Sequence, residues 1–326
     1  MKRLTPAWFD QQYNARAAIP EHPAILQSWF ERSAQARSSL RCTLDLAYGT
    51  DFGETLDLFH PVTDAPAPPA PVLVYLHGGY WRALDKRDQS FVATPFVQAG
   101  ALVVLPNYAL APAVSVRHIV LQLVQALAWV HRHAESHGGD PKRIVVAGHS
   151  AGGHLAAMML ACRWQQVAAD LPGDLVQDAL AVSGLFELEP LRHAPFLKND
   201  LELSAAEARH LSPAAMPAPT RGRLWTSVGA QESAEFQRQQ TSIARAWGRQ
   251  VVSVRRSEPD CHHMSVLHTL ADPTRRTCQM ALELLGLRGR GSPRMAKPPP
   301  LDTAVHSRTS TTNLGHQTHV PPHSTR

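Results

Sequence analysis

Cysteine is scarce and scattered. Cys42, Cys162, Cys261 and Cys278 are the only four in 326 residues, and no two of them form a C-x-x-C pair. That spacing points to reduced thiols and a cytoplasmic setting rather than to a disulfide framework. Long apolar runs are missing as well, so no membrane-spanning helix is expected. The opening Met1-Lys2-Arg3-Leu4-Thr5-Pro6-Ala7-Trp8-Phe9-Asp10 has no apolar core of signal-peptide type. The G-x-G-x-x-G fingerprint is absent, which argues against a dinucleotide-binding oxidoreductase. Basic residues form no stripe and do not interleave with aromatics, so nucleic acid is not an expected partner. No internal repeat is visible.

Net charge is also missing from most of the chain, despite a formal total of +5. Residues 288–326 hold Arg288, Arg290, Arg294, Lys297, Arg308 and Arg326 against Asp302 alone, which accounts for the excess and leaves the body neutral. This tail is rich in Pro, Ser, Thr and Gly and nearly empty of large apolar side chains. It cannot bury enough surface to offset its ordering entropy. It is therefore expected to be disordered, with residues 1–287 forming the folded domain. His316, His319 and His323 read as scattered residues of a polar tail rather than as a metal site.

What is present is alternation of strand and helix. Residues 1–38 read as a helical arm anchored by Leu26, Trp29 and Phe30. Residues 41–48 and 54–59 alternate at period two around Asp51-Phe52-Gly53, the pattern of an antiparallel hairpin. Residues 64–71, rich in Pro and Ala, form a linker. Apolar strand signals follow at 72–76, 101–106, 143–148, 179–183, 223–229 and 251–256. Helical patterns at 113–135, 153–169, 232–247 and 273–286 separate most of them. This predicts an α/β fold with a mostly parallel central sheet covered on both faces. Residues 185–220 interrupt the alternation. Pro190, Pro195, Pro213, Pro217 and Pro219 divide them into short pieces, read as a cap-like insertion over the C-terminal edge of the sheet.

The strongest motif is Gly148-His149-Ser150-Ala151-Gly152. It follows the β-branched run Ile144-Val145-Val146-Ala147 and precedes the helical run His154 to Leu160. In that context G-x-S-x-G denotes a nucleophile elbow, with Ser150 exposed above the sheet at a helix N-terminus. A second motif, His77-Gly78-Gly79-Tyr80-Trp81, follows the strand signal Pro71 to Leu76. H-G-G loops after an early strand of α/β-hydrolases supply backbone N–H groups to an oxyanion hole. The donors expected here are Gly78, Gly79 and Ala151. Tyr80 and Trp81 are expected to form an aromatic wall for the leaving group.

A serine nucleophile needs a base, and the base an orienting carboxylate, in the chain order Ser, Asp or Glu, His. Glu232 follows the strand Leu224 to Gly229 and is the expected acid, with Glu235 as its neighbour and competitor. Cys261-His262-His263-Met264 follows the last strand signal. Of the two histidines His263 is preferred as the base, because it borders the apolar helix start Met264-Val266-Leu267. His118, His131, His133 and His137 fall on a long helix and read as a solvated face.

Taken together, His77 to Trp81, Pro106-Asn107-Tyr108-Ala109-Leu110-Ala111-Pro112, Gly148 to His154, Gly229 to Phe236 and His263-Met264-Ser265-Val266 resemble the kynurenine formamidase (arylformamidase) family. Trp8-Phe9-Asp10-Gln11-Gln12-Tyr13-Asn14 is similar to that family's opening. The resemblance covers residues 8 to 286. It implies an α/β-hydrolase fold related to hormone-sensitive-lipase-like esterases, and hydrolysis of N-formyl-kynurenine. Two departures are Glu232 where the family often has Asp, and Met264 where it often has Phe. The expected partner is a small aryl formamide or ester; no metal or cofactor is called for, and the sequence allows a homodimer. The alternatives are a short-acyl carboxylesterase with the same three residues and, more distantly, a non-catalytic binding protein on this fold.

Overall fold

A computed structural model of the chain describes residues 4–51, 53–62 and 68–287. Two compact units divide the chain, Met1–Arg290 and Gly291–Arg326. The second unit lies outside the described residues. So do the whole tail 288–326 and residues 64–67 of the expected linker.

Eight strands form one sheet: β1 (Cys42–Ala47), β2 (Thr55–Phe59), β3 (Ala70–Leu76), β4 (Leu102–Pro106), β5 (Gly139–His149), β6 (Asp178–Val182), β7 (Arg223–Gly229) and β8 (Arg255–Glu258). Their order across the sheet is β1-β2-β4-β3-β5-β6-β7-β8. β1 pairs with β2, and β2 with β4, antiparallel. All other neighbours are parallel. This is the α/β-hydrolase architecture, with the expected hairpin at its N-terminal edge.

The buried strands are apolar because both faces are covered. Every residue of β3, β4 and β6 is buried. Side chains alternate across a strand. Val72, Val74 and Leu76 join one core layer with the helices Val116–His133, Ala151–Leu160 and Ala234–Val251. Leu73 and Tyr75 join the other, with Trp29 of the helix His22–Ser39 and with the helices Ala93–Gln98 and Arg276–Leu284. The helix His22–Ser39 buries Trp29 but leaves Phe30 40% exposed, so Phe30 is not the anchor expected of it. Consecutive residues on a helix point about 100° apart, and only one of the two can face the sheet.

The last strand lies later than its expected place at 251–256. Val251 closes the helix Ala234–Val251, whose regular geometry breaks at Gly248 with φ 72°. Val251 and Val252 are buried in the core as the lead into the strand. β8 itself is a sheet edge paired only with β7, and Arg255, Arg256 and Ser257 are exposed. A polar edge strand carries no apolar signal, which is why β-branched residues upstream drew the assignment.

Residues 185–220 fold into four short helices, Glu189–His193, Pro195–Leu201, Ala205–His210 and Pro213–Ala215. Pro190, Pro195 and Pro213 each open one of them, where a missing N–H costs nothing and a fixed φ favours the first turn.

Candidate active site

Ser150 stands between the end of β5 and the start of the helix Ala151–Leu160. Its φ is 58°, in the left-handed region, so the turn holds the residue in a strained conformation. The turn closes only because its flanking residues lack side chains. A Cβ on Gly148 would lie 2.2 Å from the Gly152 carbonyl oxygen, and one on Gly152 would lie 2.0 Å from that of Leu76. The Ser150 N–H donates to Val182 O on the neighbouring strand at 2.8 Å, which fixes the backbone. Its side chain makes no capping bond to the helix that follows.

The hydroxyl instead meets His263, with Oγ 3.0 Å from Nε2. The other ring nitrogen, Nδ1, donates to Glu232 Oε2 at 2.6 Å. Glu232 is itself fixed: Oε1 accepts from the Gly229 N–H at 2.7 Å and from the Ser183 hydroxyl at 2.5 Å. The three residues thus form a continuous hydrogen-bonded relay, nearly closed to solvent.

The competing residues are occupied elsewhere. His262 Nδ1 accepts from the N–H groups of Met264 and Ser265, both at 3.2 Å, and its Nε2 lies 3.3 Å from Glu21 on the N-terminal arm. Glu235 accepts from the Tyr13 hydroxyl at 2.6 Å and pairs with Arg238. Glu187 binds Arg238 and Ser242. The His149 ring lies 4.8 Å from that of His263, and its Nε2–H donates to the His263 carbonyl at 2.8 Å. Burial, with His263 alongside, holds the His149 imidazole well below its ordinary range. It is therefore a neutral prop that fixes the loop carrying His263.

The His77 to Trp81 loop lies against the elbow. A Cβ on Gly78 would meet the His149 carbonyl at 2.8 Å and Ser150 Cβ at 3.4 Å. Gly79 (φ 109°), Tyr80 (φ 52°) and Trp81 (φ 57°) follow one another with positive φ. His77 braces the loop by stacking on Tyr108 with centroids 4.1 Å apart, and the Tyr108 hydroxyl donates to the His77 carbonyl at 2.8 Å. Ala151 is the first residue of its helix, where an N–H has no partner within the helix. Gly78 and Ala151 thus adjoin Ser150 in the loop and in the chain, and Gly79 lines the cleft with it.

The cleft above Ser150 is lined by Gly79, Tyr80, Trp29 and Phe196, among others. Tyr80 donates its hydroxyl to the Tyr13 carbonyl at 2.6 Å and packs edge-on against Phe196. Trp81 does not line the cleft. It is fully buried in the core and packs edge-on against His154 at 5.0 Å. The two rings touch edge-on with centroids 6.4 Å apart, Tyr80 on the cleft side and Trp81 on the core side. Among the described residues, no group of three or more His, Cys, Asp or Glu is placed to hold a metal ion. No helix among them is long and apolar enough to cross a membrane.

The chain matches the BD-FAE family over residues 56–175, from β2 past the helix that follows Ser150. Kynurenine formamidase of Danio rerio is 29% identical over 292 residues, covering 87% of this chain and 94% of that protein. Kynurenine formamidase of Salmo salar is 27% identical over 292 residues, covering 87% and 95%. A solved candidate thioesterase from Silicibacter sp. superposes with a TM-score of 0.70 at 30% identity, over 81% of this chain and 95% of that one. The chain belongs to the kynurenine formamidase family of α/β-hydrolases.

In this family member several residues that shape the site carry no local sequence signal. Ser183 follows the end of β6 with φ 51° and its hydroxyl donates to Glu232. Asn14, Arg16 and Gln89 line the cleft from the N-terminal arm and from the crossover after β3. The arm is stapled in place by Ser233 Oγ on the Gln12 carbonyl at 2.6 Å and by the Phe196 N–H on Asp10 at 3.2 Å. A hydroxyl hydrogen-bonded to an imidazole that a carboxylate orients, beside a glycine loop and under an aromatic cleft, suits acyl transfer through a serine ester.

Proposed function

We propose that this hydrolase is an aryl formamidase that converts N-formyl-kynurenine to kynurenine and formate. His263 takes the Ser150 proton as the hydroxyl attacks the formyl carbon. The N–H groups of Gly78, Gly79 and Ala151 receive the developing oxyanion, an interaction typically worth about 3–4 kcal/mol per donor. Glu232 holds the imidazole in the tautomer that accepts at Nε2 and stabilises the imidazolium that forms. The imidazolium then protonates the leaving aniline nitrogen, and water attacks the formyl-serine ester with His263 again as base, releasing formate.

The observation that carries this reading is the unbroken relay from Ser150 through His263 to Glu232 at 3.0 and 2.6 Å. The choice of substrate rests on the fish formamidases, which align over 87% of the chain. Tyr80, Trp29 and Phe196 in the cleft suit an aromatic leaving group. We assign the protein to the cytoplasm, where its four unpaired cysteines would stay reduced.

A short-acyl carboxylesterase is the second reading, favoured by the candidate thioesterase among the solved relatives. The two are separated by kcat/KM for N-formyl-kynurenine against 4-nitrophenyl acetate and butyrate. A pocket discriminates a methylene by only about 1–3 kcal/mol, so some ester turnover is expected in either case. The formamidase reading requires the formamide to match or exceed the best ester. A value several orders of magnitude lower would assign the protein to the esterases.

A further inference from the structure

Hydrogen bonds hold the His263 imidazole at its two nitrogens, and rings hold it elsewhere. Nδ1 donates to Glu232, and Nε2 meets Ser150. The Phe236 ring lies against the imidazole with centroids 4.3 Å apart and planes inclined by 38°. The His149 ring lies 4.8 Å away. Each of these two neighbours is backed by an aromatic of the N-terminal arm. Tyr13, the last residue of the helix Pro6–Tyr13, meets Phe236 edge-on at 5.8 Å. Trp29, on the helix His22–Ser39, meets His149 edge-on at 6.4 Å. Five buried rings thus follow one another in the order Tyr13, Phe236, His263, His149, Trp29. Both ends are pinned. The Tyr13 hydroxyl donates to Glu235 at 2.6 Å, and the Trp29 Nε1–H donates to His268 Nε2 at 2.8 Å.

The two neighbours of His263 do different things. His149 is neutral and spends its Nε2–H on the His263 carbonyl, so it fixes the backbone. Phe236 has no hydrogen bond to give from its side chain. What it presents to the imidazole is a π system, whose negative face attracts a cation within about 6 Å of the ring centroid. His263 becomes that cation only when it takes the Ser150 proton. The attraction is therefore greater in the transition state than in the resting enzyme, which is the condition for it to raise kcat. Phe236 is 3% exposed, so little water screens the contact. It stands in the wall of a separate cavity with Gln12 and Ser233 rather than in the cleft above Ser150.

We infer that Phe236 is a positioning residue for the general base: backed by Tyr13, its ring holds the His263 imidazole and favours the imidazolium formed as Ser150 attacks. This rests on the Ser150–His263–Glu232 relay of the proposed function but not on its choice of substrate.

The test uses the full chain, with N-formyl-kynurenine and 4-nitrophenyl acetate as substrates. Capture of Ser150 by a fluorophosphonate gives a third readout, since it needs the same proton transfer. Phe236→Leu should lower kcat about five- to thirtyfold on every substrate that turns over, with KM unchanged within about twofold. It should slow capture by a similar factor. Replacing Phe236 by 4-fluoro-, 3,5-difluoro- and pentafluorophenylalanine keeps the ring while draining its negative face. Along that series kcat and the capture rate should fall stepwise at a nearly constant melting temperature. Phe96→Leu removes a buried ring from the other core layer and is the control; it should lower the melting temperature and leave kcat as it is. A kcat and a capture rate that stay flat across the fluorinated series would overturn the inference, even if Phe236→Leu lost activity, because packing alone would then explain the loss. A loss carried mainly by KM would overturn it as well. If N-formyl-kynurenine is not turned over while ester hydrolysis and capture still fall along the series, the formamidase reading fails and this inference stands.

Discussion

Ser150, His263 and Glu232 act as a unit in this account, and the predictions at the residue scale follow from that coupling. Ser150→Ala should lower kcat about 10³-fold or more with the fold intact, since the hydroxyl is not a helix cap. His263→Ala should cost nearly as much. His262→Ala should cost far less in kcat, because His262 holds the turn before Val266 and faces Glu21. Steady-state kinetics of the pair would reverse the assignment if His262→Ala proved the more damaging. Glu232→Gln should reduce kcat strongly, since it removes the charge that the His263 Nδ1–H meets. Glu235→Gln should act instead on stability, because Glu235 holds the Tyr13 hydroxyl and Arg238. A Glu232→Gln enzyme as active as wild type would remove Glu232 from the relay.

At the scale of elements, the elbow and the H-G-G loop are one construction. The end of β3 presses its Leu76 carbonyl onto Gly152, and the loop presses Gly78 onto Ser150. Gly152→Ala should therefore displace β3 from the helix Ala151–Leu160 and destabilise by several kcal/mol, roughly the scale of an overpacked core. Urea unfolding measures it; a change under about 0.5 kcal/mol would show that the contact yields. These constraints are why both motifs are legible in the sequence: steric necessity leaves glycine at fixed places. β3 to β7 are legible for a related reason, as runs buried on both faces. β8 is not, because an edge strand of Arg255-Arg256-Ser257-Glu258 has no apolar face to show. Ser183, Gln89 and Arg16 are also illegible locally. Each reaches the site through the tertiary fold, and their neighbours in sequence say nothing of it. Trp81 shows the same limit, since nothing in H-G-G-Y-W tells which of the two aromatics lines the cleft and which enters the core.

At the scale of the whole molecule, the residues 185–220 are tied to the sheet partly through a buried histidine. The His154 Nε2–H donates to the Leu211 carbonyl at 2.7 Å, and burial pulls its pKa from 6.5 down to about 4. The fold therefore favours neutral His154, while the unfolded chain binds a proton first as the pH drops. Its contribution is fully present above about pH 6.5 and is lost as the pH falls toward 4, on the order of 3 kcal/mol in all. Denaturant unfolding at several pH values should show His154→Leu losing less stability than wild type across that window; carboxylates titrating there are common to both proteins. Equal slopes would remove His154 from the acid sensitivity.

The central claim is that Ser150 is the nucleophile of a hydrolase, and covalent capture tests it most directly. The protein is treated with a fluorophosphonate while hydrolysis of 4-nitrophenyl acetate and N-formyl-kynurenine is followed, and the adduct is mapped by peptide mass spectrometry. One adduct is predicted, on Ser150, accumulating in proportion to lost activity toward every substrate that turns over, slowed strongly in His263→Ala and absent in Ser150→Ala. Full labelling of Ser150 with activity retained, or loss of activity with the label on another residue, would contradict the account.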